Sequence, residues 1–154
     1  MVSSGLCGKW RTYFIAARLA EGAAEMIHGL GIDSVEVQRV AAMLERWRDR
    51  FTGRVFTAEE IAYCEGRVNR AQHYACRLAA KEAFFKALGV PRISGIAWQE
   101  IGVVSPGDRR PYLILHGKAR QWMEKMEIGA VHLSLTHTPL VGSAVVILEK
   151  VERC

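Results

Sequence analysis

The sequence lacks most of the patterns that mark the simplest functional classes. Its four cysteines, Cys7, Cys64, Cys76 and Cys154, are scattered and form no CxxC pair. We therefore expect reduced thiols in a cytosolic protein, and neither disulfides nor a zinc site. There is no run of about 18 apolar residues, so no membrane-spanning helix is expected. The sequence contains no GxGxxG, Walker, HExxH or GxSxG motif. The usual signatures of dinucleotide-binding, P-loop, zinc-peptidase and serine-hydrolase sites are therefore absent.

What the sequence does contain is a concentration of positive charge. The 154 residues carry a formal net charge of +5. Between Arg39 and Lys81, nine basic residues outnumber five acidic ones. Eight of the nine are arginine, the side chain suited to bidentate contacts with phosphate or carboxylate groups. An anionic partner is therefore favoured, such as a phosphorylated small molecule, an acidic protein or a nucleic acid. The alternative is a solvated helix face with i,i+4 ion pairs.

Periodicity and turn residues predict a single α+β domain over residues 26–154, preceded by an extension. Residues 1–25 are expected to lie upstream of a natural start at Met26 or to be loosely ordered, because MIHGLGIDSVEV (26–37) reads as a natural protein start. The first 20 residues contain no acidic residue, so a transit peptide is the alternative. Within the domain we predict helices over 34–50, 57–65, 71–88 and 117–126, and strands over 27–32, 98–104, 111–116, 131–136 and 141–149. Thr57 and Glu60 fit a capping box at the start of the second helix, and Gly89 is placed to end the third. A chain in which the helices come early and the antiparallel strands come later is typical of an α+β domain, and not of a doubly wound sheet.

A glutamate in the predicted helix 71–88 is the first candidate for chemistry. On a helical wheel Glu82 points in the same direction as Ala75 and Ala79, an alanine-rich surface that normally faces other protein. An unpaired buried carboxylate is costly, so Glu82 needs a cation. Lys86 lies four residues later on the same face, either as an ordinary ion pair or across a metal-bound phosphate.

A second carboxylate, Asp33, lies at the predicted strand-to-helix junction. The segment Asp33-Ser-Val-Glu36 also fits a capping box, so a helix N-cap is the alternative to a ligand role. Two carboxylates without histidine or cysteine nearby favour Mg²⁺ over zinc, because Mg²⁺ takes carboxylates together with substrate phosphates and waters. His137, between Thr136 and Thr138 in a predicted polar turn, could grip an anion or could simply be exposed.

Three segments occur in an order that resembles a known family: GLGIDSVEVQRV (29–40), RLAAKEAFFKALG (77–89) and HLSLTHT (132–138). Together they resemble holo-acyl-carrier-protein synthase, the small bacterial type of 4′-phosphopantetheinyl transferase. The resemblance implies Mg²⁺-dependent transfer of the phosphopantetheine group of coenzyme A to a serine of apo acyl carrier protein, in fatty acid biosynthesis in the cytoplasm. Adenosine 3′,5′-bisphosphate is the other product.

The resemblance also assigns roles to individual residues. Asp33 and Glu82 match the family's Mg²⁺ ligands, and Lys86 matches the lysine beside the pyrophosphate; these three are the implied catalytic residues. The positions that match contacts to CoA phosphates are Arg77, Lys86, His137 and Thr138. The positions that match the surface for the acidic carrier protein are Arg39, Arg46, Arg48 and Arg50.

The implied architecture is an antiparallel sheet packed with a long central helix, one lobe of the 4′-phosphopantetheinyl transferase fold. Family members of this size form homotrimers with CoA between subunits, and neither nucleic acid nor membrane is an expected partner. A non-catalytic module that binds an acidic carrier protein or nucleic acid through the basic helix is the alternative function. Such a module would have no need of Asp33, Glu82 and Lys86 together.

Overall fold

One strand and three helices come first along the chain, and four more strands follow around a short helix. A computed structural model describes residues 26–90, 95–107 and 109–150. In chain order the elements are β1 (Ile27–Glu36), α1 (Val37–Val55), α2 (Ala58–Glu65), α3 (Arg70–Leu88), a short 3-10 helix (Trp98–Glu100), β2 (Ile101–Val104), β3 (Tyr112–Leu115), α4 (Gly117–Lys125), β4 (Ile128–His137) and β5 (Val141–Lys150). The predicted extension 1–25 lies outside the described residues, and its role stays a prediction.

The strands form two antiparallel sheets. The larger has the order β1–β5–β4, and β2 pairs with β3 in the smaller. The first and last strands of the domain are therefore neighbours, with Asp33 opposite Ala144. This arrangement confirms the predicted α+β class and the antiparallel sheet packed with a long helix. No described helix is long and apolar enough to cross a membrane.

The long helix α3 packs on the larger sheet through a stripe of small residues. Ala75, Ala79, Ala83 and Ala87 recur every four residues, and each is at most 3% exposed. Alanine at these positions lets the helix backbone approach the strands closely. The surface on which these alanines lie is therefore packed against the chain's own sheet.

Two predicted helix ends are confirmed. Thr57 and Glu60 form the predicted capping box of α2, with Thr57 N donating to Glu60 at 2.8 Å and Glu60 N donating to Thr57 at 3.2 Å. Gly89 ends α3 with φ 70°, in the left-handed region that glycine adopts without a steric penalty.

The predicted start of the first helix is wrong. β1 extends to Glu36, because it pairs with β5 as far as Glu36 opposite Val141. The N-cap of α1 is Glu36, whose side chain makes no capping hydrogen bond. Asp33 therefore lies inside a strand and is not a helix cap. Long-range strand pairing prevails here over a local capping pattern, which is worth only about 1 kcal/mol.

Candidate active site

Asp33 is positioned by an unusually close contact between β1 and α3. A Cβ added to Gly29 would lie 2.0 Å from the Ala87 carbonyl oxygen, and one added to Gly31 would lie 1.9 Å from the Ala83 carbonyl oxygen. Only glycine permits this approach. Since alternate strand residues face the same side, Asp33 lies on the α3 side of β1 together with both glycines.

The structure brings Asp33 and Lys86 into contact. Lys86 Nζ lies 2.6 Å from Asp33 Oδ1 and also donates to the Ile32 carbonyl oxygen at 2.9 Å. The Asp33 side chain is 17% exposed, whereas the Lys86 side chain is 54% exposed. A short charge-assisted hydrogen bond thus holds a largely covered carboxylate next to a lysine whose position still opens to solvent.

Glu82 lies one helical turn before Lys86, so its side chain projects on the same side of α3. It is half-buried, and not fully buried as the wheel suggested. Asp33 and Lys86 thus meet where β1 packs on α3, and Glu82 lies one helical turn from Lys86. Their roles stay predictions.

The oxygen donors at this place fit Mg²⁺. Among the described residues, no group of three or more His, Cys, Asp or Glu side chains could hold a metal ion. The described part of the chain therefore offers the two carboxylates of Asp33 and Glu82 as candidate ligands. Mg²⁺ usually takes one or two carboxylates and completes its octahedron with waters and substrate phosphates.

Lys81 is a fully buried charge of α3 that the sequence did not mark as a site residue. Lys81 is 0% exposed and its Nζ has three acceptors: Glu60 Oε2 at 2.7 Å, the Val55 carbonyl oxygen at 2.8 Å and the Trp98 carbonyl oxygen at 3.0 Å. Burial lowers the pKa of Lys81, and the nearby Glu60 carboxylate opposes that shift. This lysine anchors α3 to α1, α2 and the 3-10 helix on the side away from the sheet.

Arg77 is almost completely buried, at 2% exposure, yet its hydrogen bonds are long. Its Nη1 donates to the His73 carbonyl oxygen and its Nη2 to Ser105 Oγ, both at 3.4 Å. Its Nε is buried without a hydrogen-bond partner. The Arg77 guanidinium lies over the Tyr63 ring, with Cζ 4.0 Å from the centroid.

His137 and Thr138 lie where β4 turns into β5. The prediction that His137 lies in a turn is wrong, because β4 continues one residue beyond the predicted end at 136 and His137 pairs with Gly142. Thr138 Oγ1 accepts hydrogen bonds from Leu140 N at 3.2 Å and Val141 N at 3.1 Å, so the hydroxyl hydrogen remains available to another acceptor.

His73 joins this turn to Arg77, although no sequence pattern marked it as a site residue. Its ring centroid lies 6.0 Å from that of His137 and 5.7 Å from that of Tyr63. Burial lowers the pKa of His73, and Arg77, Arg67 and His137 lower it further. Its i,i+4 spacing from Arg77 was the one signal that could have identified it.

The predicted carrier-binding arginines are all exposed on α1, but they do not form one straight row. Arg48 has φ 36° and ψ −122°, which kinks the helix between Arg46 and Arg50. Arg46 lies over Trp47, with Cζ 4.8 Å from the ring centroid. Beyond the kink, Arg54 shares a groove with Arg50, Trp47, Met43 and Phe51. Arg54 is thus a further candidate for the same surface.

Comparisons with known proteins find relatives over most of the chain. Residues 29–138 match the model of the 4′-phosphopantetheinyl transferase superfamily. A holo-[acyl-carrier-protein] synthase of Solibacter usitatus is 44% identical over 124 residues, which cover 80% of this chain and 99% of the relative. The crystal structure of the synthase from Neisseria meningitidis superimposes with a TM-score of 0.75 at 30% identity, covering 81% of this chain and 100% of the other. The synthase from Bacillus anthracis, solved in complex with CoA (3′,5′-ADP), gives a TM-score of 0.67 at 32% identity and covers 82% of this chain and 99% of its own.

Proposed function

This chain belongs to the 4′-phosphopantetheinyl transferase superfamily, and we propose that it is a holo-[acyl-carrier-protein] synthase. It transfers the 4′-phosphopantetheine group of CoA to a serine hydroxyl of apo acyl carrier protein and releases adenosine 3′,5′-bisphosphate. The reaction serves fatty acid biosynthesis in the cytoplasm. The observation that supports this function most directly is the convergence of Lys86 on Asp33 at 2.6 Å, one helical turn from Glu82.

Asp33 and Glu82 are the residues that would hold Mg²⁺. When bound, the ion would neutralise charge on the CoA pyrophosphate. Lys86 would then contact the pyrophosphate and stabilise the leaving phosphate oxygen, for which its half-exposed ammonium group is well placed. The serine proton passes to Glu82, to another carboxylate or to a water molecule.

Arg77, His137 and Thr138 are the proposed contacts to other CoA phosphates. Arg77 supports this role through its buried Nε, which has no partner, and Thr138 through its available hydroxyl hydrogen. Arg77 precedes Glu82 by five residues, which places the two about 140° apart around α3. Within one subunit the two sets of side chains therefore point in different directions.

A homotrimer would resolve this divergence, because a site between subunits can take the metal ligands from one chain and the phosphate contacts from the next. The outer face of the larger sheet offers a surface for such an assembly. Leu30 and Ile32 on β1 are each 58% exposed. They lie opposite Ile147 and Val145 of β5, which makes the face apolar along its centre.

The carrier protein would dock on α1. Arg39, Arg46, Arg48 and Arg50 supply positive charge, and the groove at Trp47 supplies apolar surface. An acidic partner would be steered to this surface, so the rate of transfer should fall as ionic strength rises.

The test is incubation of the protein with apo acyl carrier protein, CoA and Mg²⁺, followed by mass spectrometry of the carrier. We expect a mass gain of one phosphopantetheine group. Asp33→Ala and Glu82→Ala should each abolish it without unfolding the protein. Glu124→Ala, which removes an exposed carboxylate on α4, is the matched control and should keep the wild-type rate.

No mass gain with several carrier proteins would refute the proposed function. Near-full rates for Asp33→Ala or Glu82→Ala would refute the metal assignment. A protein that binds carriers equally well with Glu82→Gln and never modifies them would instead be a binding module.

A further inference from the structure

A cluster of cationic and protonatable side chains surrounds Tyr63 on α2. The Arg67 guanidinium lies 4.4 Å and the Arg77 guanidinium 4.0 Å from the Tyr63 ring centroid. His73 contacts the same ring edge-to-face at a centroid separation of 5.7 Å, and His137 contacts His73 at 6.0 Å. Arg67 and His137 are exposed, so the cluster opens to solvent.

The charges in this cluster repel one another. The charged and titratable groups that face His73 are Arg67 from the segment after α2, Arg77 from α3 and His137 from β4, and each of them disfavours a proton on His73. Gathering like charges costs free energy unless an anion binds among them.

Arg77 independently indicates that this cluster binds an anion. Its side chain is 98% covered, yet its Nε has no hydrogen-bond partner and both of its other hydrogen bonds are 3.4 Å long. Ordinary N–H···O hydrogen bonds are about 2.9 Å long, and a buried donor without a partner is costly. A small shift toward an anion in the cluster would shorten these contacts and give Nε a partner.

We propose that Tyr63, Arg67 and His73 complete, with Arg77 and His137, a binding site for a phosphate monoester dianion, and that His73 takes up a proton when the anion binds. The inference rests on the proposed function, which supplies such a group in the 3′-phosphate of CoA. Tyr63 holds the two guanidinium groups by cation–π contact, so that the arginines stay in place while the site is empty. The pyrophosphate belongs to the Asp33, Glu82 and Lys86 set.

The expected pH dependence of CoA binding has a definite sign. Without the anion, the pKa of His73 is lowered by burial and by its cationic neighbours, so the ring is neutral at pH 7. A bound dianion raises that pKa. Between the two values binding takes up a proton, so CoA affinity rises as the pH falls through this window. Near pH 6 the phosphate itself gains a proton, since its second pKa is about 6, and the rise ends.

The test compares CoA with 3′-dephospho-CoA by titration calorimetry. Two buffers of different ionisation enthalpy at pH 7 then give the number of protons taken up. For the wild type we expect tighter binding of CoA, with proton uptake that 3′-dephospho-CoA does not cause. His73→Gln should weaken CoA binding roughly tenfold, as for loss of one charge-assisted hydrogen bond, and should abolish the uptake. Its binding of 3′-dephospho-CoA should stay within about twofold.

Arg67→Gln should likewise lower the preference for CoA, whereas His116→Gln, an exposed histidine before α4, should leave it unchanged. The proposal is overturned if His73→Gln keeps the wild-type preference and proton uptake. It is also overturned if His73→Gln weakens both nucleotides equally, as a purely structural role would. If the wild type binds neither nucleotide and modifies no carrier, the proposed function itself fails.

Discussion

The buried ion pair between Lys81 and Glu60 should contribute strongly to the stability of the fold around α3. Lys81→Met removes the ammonium group and keeps a side chain of similar length. Three acceptors then lose their donor: Glu60 Oε2 and the carbonyl oxygens of Val55 and Trp98. Glu60 is 1% exposed, so its carboxylate would stay in the interior without a counter-charge.

The expected loss of stability follows from the Glu60 carboxylate that Lys81→Met leaves without a counter-charge. Removing one partner of a buried ion pair typically costs about 3–5 kcal/mol, because the remaining charge is neither solvated nor paired. Glu60 keeps hydrogen bonds from Thr57 N at 2.8 Å and Val103 N at 3.0 Å, which holds the loss within that range. For a domain of this size the melting temperature should fall by roughly 6–20 °C.

Urea unfolding followed by circular dichroism, at one fixed protein concentration, measures the loss. Lys86→Met is the matched control, because it makes the same change on the same helix at a lysine whose side chain is 54% exposed. It should cost less than about 1 kcal/mol. Adding Glu60→Gln to Lys81→Met removes the orphaned charge and should recover at least about 1 kcal/mol.

Two outcomes would refute the reasoning. If Lys81→Met unfolds within about 1 kcal/mol of the wild type, the ammonium group is not the buried, fully bonded group described above. If the double variant is no more stable than Lys81→Met alone, the cost does not come from an orphaned Glu60 carboxylate.

Two further predictions concern the β1–α3 contact and the assembly. Gly31→Ala should destabilise the protein by about 1–3 kcal/mol and slow transfer, because its Cβ would meet the Ala83 backbone at 1.9 Å. Gly53→Ala, where a Cβ meets nothing within 4 Å, should be neutral or stabilising in the same unfolding and transfer assays. Co-expressed Glu82→Ala and His137→Ala chains should regain up to about a quarter of the wild-type rate, the share of intact shared sites after random mixing. No gain over either variant alone would rule out sites shared between subunits.

Sequence signals predicted correctly those helix ends that depend only on neighbouring residues. The Thr57 capping box and the left-handed Gly89 are both formed as predicted, because each depends on residues within one helical turn. The α+β class followed from the order of the elements. The local capping pattern at Asp33 failed for the opposite reason: its strand pairs with β5, more than 100 residues away.

The charged residues of α3 show the same contrast between local signals, which the sequence reveals, and long-range contacts, which it does not. A helical wheel gives the direction of Glu82 relative to the alanines, but it does not give the width of the covering sheet. Glu82 lies at the margin of the contact, while Lys81 is buried by Glu60, which is 21 residues away in the sequence. The contact between His73 and His137 likewise joins a helix to a strand end, so no spacing rule could reveal it.

Different sides of α3 have different structural roles. The alanine stripe of α3 fixes its distance from the sheet, and Lys81 fixes its position on the opposite side. With the helix held from both sides, Lys86 contacts Asp33, Glu82 lies one helical turn before Lys86, and Arg77 lies over Tyr63. A rigid α3 therefore sets the position of the proposed metal ligands and of the proposed phosphate cluster together. A change that tilts it should impair both sets at once, whereas a change at His73 should impair only phosphate recognition.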